Sequence, residues 1–204
     1  MALSFDEFPL AYIDSPTLLG LLKEYTNPRD YIARLVKKGV LIRLKNGVFL
    51  IREKVKNRRI PFGQVANFLY GPSYVSLEWA LSEYGLIPER VVNMTSMTTG
   101  KSKTITTEIA GFSYYSLDIN RYDFGVEERQ DGDWPGGFLI ASKEKALLDY
   151  IFVKWKNFTN LDDFLEASRM EKDALLAMDK AKMQEFCTRY NYPVIDRFVG
   201  VLWN

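Results

Sequence analysis

The chain has 204 residues, 47% hydrophobic and 26% charged, which suits one good-sized globular unit or two small ones. It has no histidine and one cysteine, Cys187, which excludes an internal disulfide, the usual zinc ligand sets, and triads or proton relays built on histidine. The net charge of +1 hides an asymmetry that suggests a nucleic-acid arm on a second part with other work: residues 1–64 carry 12 Lys/Arg and 6 Asp/Glu, a net of +6, and residues 65–204 carry 15 and 20, a net of −5.

The opening stretch MALSFDEFPLAYID holds acids and no basic n-region, so a signal peptide is not expected. No apolar run has the length of a membrane span, and a reducing cytoplasm is the expected compartment. In SPTLLGLLKEY, Ser15 suits a helix cap and Pro16 the first helical position, with Leu18, Leu19, Leu21 and Leu22 as a wide apolar face. The next stretch, NPRDYIARLVKKGVLIRLKNGVFLI, reads as a helix followed at once by a hairpin. Asn27 suits the cap and Pro28 the first turn; Ile32, Leu35 and Val36 form one apolar stripe, and Gly39 ends the helix. Asn46-Gly47 between two apolar runs is expected to form a type I′ turn.

At 100° per residue, Asp30, Arg34, Lys37 and Lys38 lie opposite the stripe, and Arg43 and Lys45 flank the hairpin tip. A basic helix before a two-stranded ribbon is how a winged helix-turn-helix ends; the helix can enter a major groove while the wing touches phosphates. An ordinary solvated helix is the plainer alternative. Arg52, Lys54, Lys56, Arg58 and Arg59 follow, as further phosphate contacts or as a solvated linker. A domain boundary is expected near Ile60-Pro61.

The second part opens with a helix around Val65, Phe68 and Leu69, stopped by Gly71-Pro72. Ser73 or Ser76 can cap the next, which carries Leu77, Ala80, Leu81 and Tyr84 inward and ends at Gly85. VVNMTSMTT and KTITTEIAGFSYYSL read as three strands. Residues 118–137 read as an acidic loop, 138–141 as a strand, and SKEKALLDYIFVKW as a deep helix capped by Ser142. Further helices are expected near 161–169, 171–188 and 193–202, with Cys187 as a small core residue.

Three chemical motifs have plainer explanations. Ser142 and Lys145 give the S-x-x-K spacing of serine acyltransferases, but their partner motifs are absent and a helix cap explains the serine. Asp118, Asp123, Glu127, Glu128, Asp131 and Asp133 lack a metal-loop spacing and read as a solvated loop. Gly100-Lys101-Ser102 lacks the upstream glycine of a phosphate loop. No catalytic residue, metal site or cofactor is expected.

Over most of residues 26–153 the chain resembles the AbiEi family, antitoxins of type IV toxin–antitoxin (abortive infection) systems. The most specific parts are SYVSLEWALSEYGLIPE and ASKEKALLDY; RLVKKGVLIRLKNGVFLI is similar to that family's winged helix. The resemblance implies a DNA-binding autoregulator, not an enzyme. It would bind double-stranded operator DNA and oppose a nucleotidyltransferase-type toxin without a stable complex. By position, the DNA role maps onto Asn27, Arg29, Arg34, Lys37, Lys38, Arg43, Lys45 and Asn46, with Lys54, Lys56, Arg58 and Arg59 as additional contacts. The expected fold is α+β: a winged helix-turn-helix over 1–60, then helices with a small antiparallel sheet over 61–204. A homodimer on paired half-sites fits one short recognition helix. The alternative is a winged-helix module for protein or ligand binding, without DNA.

Overall fold

The computed structural model describes residues 3–203. A short strand, β1 (Tyr12–Asp14), runs straight into helix α1 (Ser15–Leu21). Asp14, not Ser15, is the cap: its carboxylate accepts from the Thr17 N–H at 2.9 Å. A carboxylate there meets the positive end of the helix as well as a free N–H. Helix α2 (Pro28–Lys37) starts where expected, but the Asn27 side chain makes no capping bond. Its ψ of 73° departs from the extended geometry, ψ 166° at Asp14, that aims a cap at the first turn. Gly39, at φ +69°, closes the helix. Its N–H and that of Val40 reach back to the carbonyls of Val36 and Leu35 at 2.9 and 3.0 Å.

Strands β2 (Leu41–Lys45) and β3 (Val48–Ile51) form the expected hairpin, and β1 joins them in an antiparallel sheet of order β1-β3-β2. The turn is not type I′. Gly47 has φ +79°, but Asn46 stays out of the left-handed region. A register shift between Arg43 and Lys45 puts an extra residue in β2, and this bulge supplies the twist that a I′ turn would have given.

The alternation along β3 organises the molecule. Phe49 and Ile51 join Leu18, Leu22, Ile32 and Leu35 in a small core under α1 and α2. Val48 and Leu50 face the other way, with Ile42 and Leu44 of β2, into the large core of the rest of the chain. Each buried aliphatic or aromatic side chain contributes about 1.5–3 kcal/mol, so both faces of this sheet are strongly held.

Beyond β3 come α3 (Arg52–Val55), α4 (Phe62–Leu69), β4 (Ser73–Val75) and α5 (Leu77–Glu83). Then follow β5 (Met94–Thr98), β6 (Lys103–Thr106), β7 (Gly111–Ser116), α6 (Ile119–Tyr122), β8 (Val126–Gln130), β9 (Gly137–Ala141) and α7 (Lys143–Lys154). The sheet is larger than expected and mixed, with order β6-β7-β5-β4-β9-β8. β4 runs parallel to β9 and β5 parallel to β7; the other pairs are antiparallel. β4 and β5 are buried along their whole length, as strands covered on both faces are.

Residues 118–137 are not one loop: they hold α6 and the edge strand β8. Four further helices close the chain, α8 (Leu161–Ser168), α9 (Lys172–Leu176), α10 (Lys180–Tyr190) and α11 (Pro193–Leu202). The helix expected over 171–188 is two, because Asp179 accepts from the Lys182 N–H at 3.0 Å and starts α10 afresh. Cys187 is half-buried rather than in the core; its thiol donates to Asp196 Oδ1 at 2.9 Å, and burial pushes it up to about 12. The whole is an α+β protein with eleven helices among the described residues, none long and apolar enough to cross a membrane.

Candidate nucleic-acid interface

Helix α2 buries Ile32 and Leu35, so its other side is left to solvent. Arg29, Arg34, Lys37 and Lys38 are all exposed, and none forms an ion pair among the described residues. Arg34 stacks on the Tyr31 ring at 5.4 Å, which limits the freedom of the guanidinium without neutralising it. Arg43 is exposed on the sheet face that carries the small core. It pairs in register with Phe49, and its guanidinium lies 5.7 Å from that ring. Asn27 and Asn46 are exposed too. These cations thus share the side of the molecule built on the small core.

The remaining basic residues separate into two kinds. Lys45 is half-buried and its ammonium donates to the Leu69 carbonyl at the end of α4. Arg52 donates to the Gly39 carbonyl at 2.6 Å and so holds the end of α2. Lys54 donates to the Asp6 carbonyl at 2.9 Å. Arg58 donates to the Asp133 carbonyl at 2.9 Å and lies 3.8 Å from the centre of the Trp134 ring; Arg59 sits 3.7 Å from Glu83. Lys56 is exposed and unpaired among the described residues. The stretch after the hairpin is therefore a set of internal ties rather than a solvated linker, with Lys56 the exception.

The acidic stretch that these ties reach is also partly structural. Asp131 is buried and accepts from the Gln64 N–H at 3.1 Å, serving as a distant cap for α4 in place of Pro61. Burial raises its carboxyl above the usual range, while the amides of Gln64 and Gly63 pull it back. Asp123 pairs with Arg189 at 2.9 Å and Glu127 with Lys182 at 3.5 Å. Among the described residues no three acidic, cysteine or histidine side chains converge on a metal position.

A buried polar cluster lies inside the second part. Ser142 caps α7, accepting from the Lys145 N–H. The Lys145 ammonium points inward and donates to Asp149 at 2.9 Å, the Tyr190 hydroxyl at 2.7 Å and the Arg121 carbonyl at 2.7 Å. Asp149 also accepts from Tyr190, from Tyr74 at 3.0 Å and from Ser76 at 2.6 Å. Ser76 is therefore spent on Asp149 and makes no side-chain cap for α5. Burial lowers the Lys145 ammonium, with Asp149 opposing it. Burial first, and Asp149 second, raise Tyr74 and Tyr190 well above the usual phenol range. Both ionic side chains are fully buried. The cluster's readable signal was the i, i+4 spacing of Lys145 and Asp149 on one helix.

The fold defines an α+β class in which a two-helix, three-stranded unit is joined to a helix-covered mixed sheet. No protein-family model matches the chain, and no curated protein does.

Proposed function

We propose that the chain is a DNA-binding transcriptional regulator and antitoxin of the AbiEi type, acting against a nucleotidyltransferase-type toxin. In this reading α1, α2 and the hairpin are a winged helix-turn-helix: α2 enters the major groove and Arg43 reaches the flanking backbone. Residues 61–204 carry the antitoxin role. The observation that carries the DNA half is the set of exposed, unpaired cations Arg34, Lys37 and Lys38 along the outer face and end of α2, with Arg29 exposed in its first turn and Arg43 on the same side. A side chain without an internal acid loses nothing when it turns to a phosphate. The antitoxin half rests on the resemblance of residues 26–153.

A gel shift on the chain's own upstream region, at two salt concentrations and against a scrambled competitor, tests this. With five cations each neutralising one phosphate, binding weakens with a log–log salt slope of about −4.5. Arg34→Ala or Lys37→Ala costs about 1–3 kcal/mol of operator affinity where the residue reads a base or makes a strong phosphate bond. No specific shift at micromolar protein, or wild-type affinity in both variants, overturns the operator role. Neutralisation of a neighbouring toxin on co-expression tests the other half. One observation favours a protein-docking reading instead: the hairpin does not stand free. Gly47 accepts from the Ser15 N–H at 2.8 Å, and Lys45 is tied to α4.

A further inference from the structure

The turn Gly100-Lys101-Ser102 links β5 to the edge strand β6, and it is built on the segment that anchors the hairpin. Lys45, beside the hairpin tip, donates to the Leu69 carbonyl. The next residue, Tyr70, supports the turn. The Lys103 ammonium lies 5.6 Å from the centre of the Tyr70 ring. Gly100 comes so near the Tyr70 hydroxyl that a Cβ there would lie 2.8 Å from it, an approach open only to glycine. Three bonds fix the turn further. The Gly100 N–H donates to Thr98 Oγ1 at 3.1 Å, Thr98 Oγ1 donates to the Pro72 carbonyl at 2.8 Å, and the Ser116 N–H donates to Ser102 Oγ at 2.9 Å. Residues 69–72 therefore hold both the hairpin and this turn. Lys101 and Lys103 are exposed, and neither forms an ion pair among the described residues. Ser102, Thr104 and Thr106 beside them are exposed too, and of β6 only Ile105 is buried. Lysines on a sheet edge also deter pairing with a second chain, but that task needs no fixed turn beside the hairpin.

We infer that this turn and strand extend the nucleic-acid interface of the front onto the rear body, with Lys101 and Lys103 binding phosphates of duplex DNA beside the stretch that the hairpin touches. The inference rests on the operator reading given above and adds a second surface to it. A lysine ammonium is a compact point charge with three rotatable donors, which suits a phosphate. The neighbouring hydroxyls are further donors to phosphate oxygens. Continuity with the unpaired cations of the front, through Lys45 and Tyr70, selects the same polyanion as the partner. The turn is fixed to the segment that also holds the hairpin, so its contacts position the duplex and carry no sequence information of their own.

The test follows binding of the full chain to a duplex of its own upstream region by fluorescence anisotropy, across a salt series. Lys101→Ala combined with Lys103→Ala should flatten the log–log salt slope by about 1.8, which is about 0.9 for each phosphate released. Affinity for the operator and for a scrambled duplex should fall by the same factor, so that their ratio is kept. Lys156→Ala combined with Lys172→Ala removes the same charge from the segment after α7 and from α9, both also exposed, and should leave the slope unchanged. A full slope in the first variant, a narrowed ratio, or an equal flattening in the second overturns this surface and leaves the operator reading standing. A wild-type chain without specific, salt-weakened binding overturns both.

Discussion

The front and rear of the molecule treat charge in opposite ways. From Leu3 to Arg58 no ion pair forms among the described residues, and Arg29, Arg34, Lys37, Lys38 and Arg43 all face solvent. Behind Arg59 the pairs accumulate, from the exposed Arg169–Glu89 to the fully enclosed Lys145–Asp149. A cation whose acid lies within the same chain is part of the architecture. So is one tied to a carbonyl of its own chain, as Lys45, Arg52, Lys54 and Arg58 are; the exposed cations of α2 have neither kind of tie, which is what the proposed DNA role needs. The difference separates charges held within the chain from charges left to solvent more sharply than net charge does.

The strongest way to break that distinction is in the rear core. Asp149→Ala strands the Lys145 ammonium and leaves Ser76, Tyr74 and Tyr190 without their acceptor. It should cost about 3–5 kcal/mol, read as a lowered urea midpoint. Lys145→Met combined with Asp149→Leu should recover the part of the loss due to the stranded ammonium, while the hydroxyls of Tyr74, Tyr190 and Ser76, still without an acceptor, keep the rest. An unchanged midpoint in Asp149→Ala would remove the structural role.

Next in size is the response to alkaline pH, which should come chiefly from the rear, although burial raises Tyr12 of the front as well. Tyr74, Tyr114 and Tyr190 are raised above their ordinary value of 10.0, chiefly by burial, and burial raises Tyr122 to about 12. The folded state keeps these phenols protonated where the unfolded chain ionises them. Stability is therefore whole below pH 10.0 and declines as pH climbs toward the raised values. Lys145 works in the other direction. It is lowered from 10.5, so between its folded value and 10.5 the unfolded chain binds the extra proton and stability rises with pH. Melting temperatures across the alkaline range should show a steep fall, and Lys145→Met should remove the opposing contribution while the fall remains.

The smallest effect sharpens the comparison from the other side. Arg169→Ala deletes an ion pair whose side chains are 67% and 42% exposed, and should change stability by less than about 1 kcal/mol. A larger loss in denaturant melts would mean that exposure does not separate the two kinds of charge.

The sequence made the local elements of the front legible, because capping prolines, Gly39 and the Asn46-Gly47 pair act within a few residues of themselves. The apolar stripe of α2 and its exposed cations followed from periodicity. What it hid was anything decided at long range. Asp14 in place of Ser15, and Asp131 capping α4 across 67 residues, are choices among possible acceptors that only the fold makes. β4 has three residues, too few to show a period, and β8 carries Glu127, Glu128 and Arg129 in a stretch that reads as loop. Without those two strands the parallel pairing of β4 with β9 had no visible basis. The cations after the hairpin looked alike in sequence; carbonyls of Asp6, Gly39 and Asp133 separate Lys54, Arg52 and Arg58 from Lys56.

The three-stranded sheet has a consequence for how the molecule moves. Its residues point by turns into the small core and the large one, so neighbouring positions of one strand serve two interiors. The ring of Tyr12 against Phe68, 4.7 Å between centres, and the bond from Lys45 to Leu69 fasten the same seam from either end of the hairpin. The place where the charge changes sign is therefore not a hinge. Helix α2 is mounted on the rear body as a blade is set in a handle, and its bearing in space is inherited from the mixed sheet behind it.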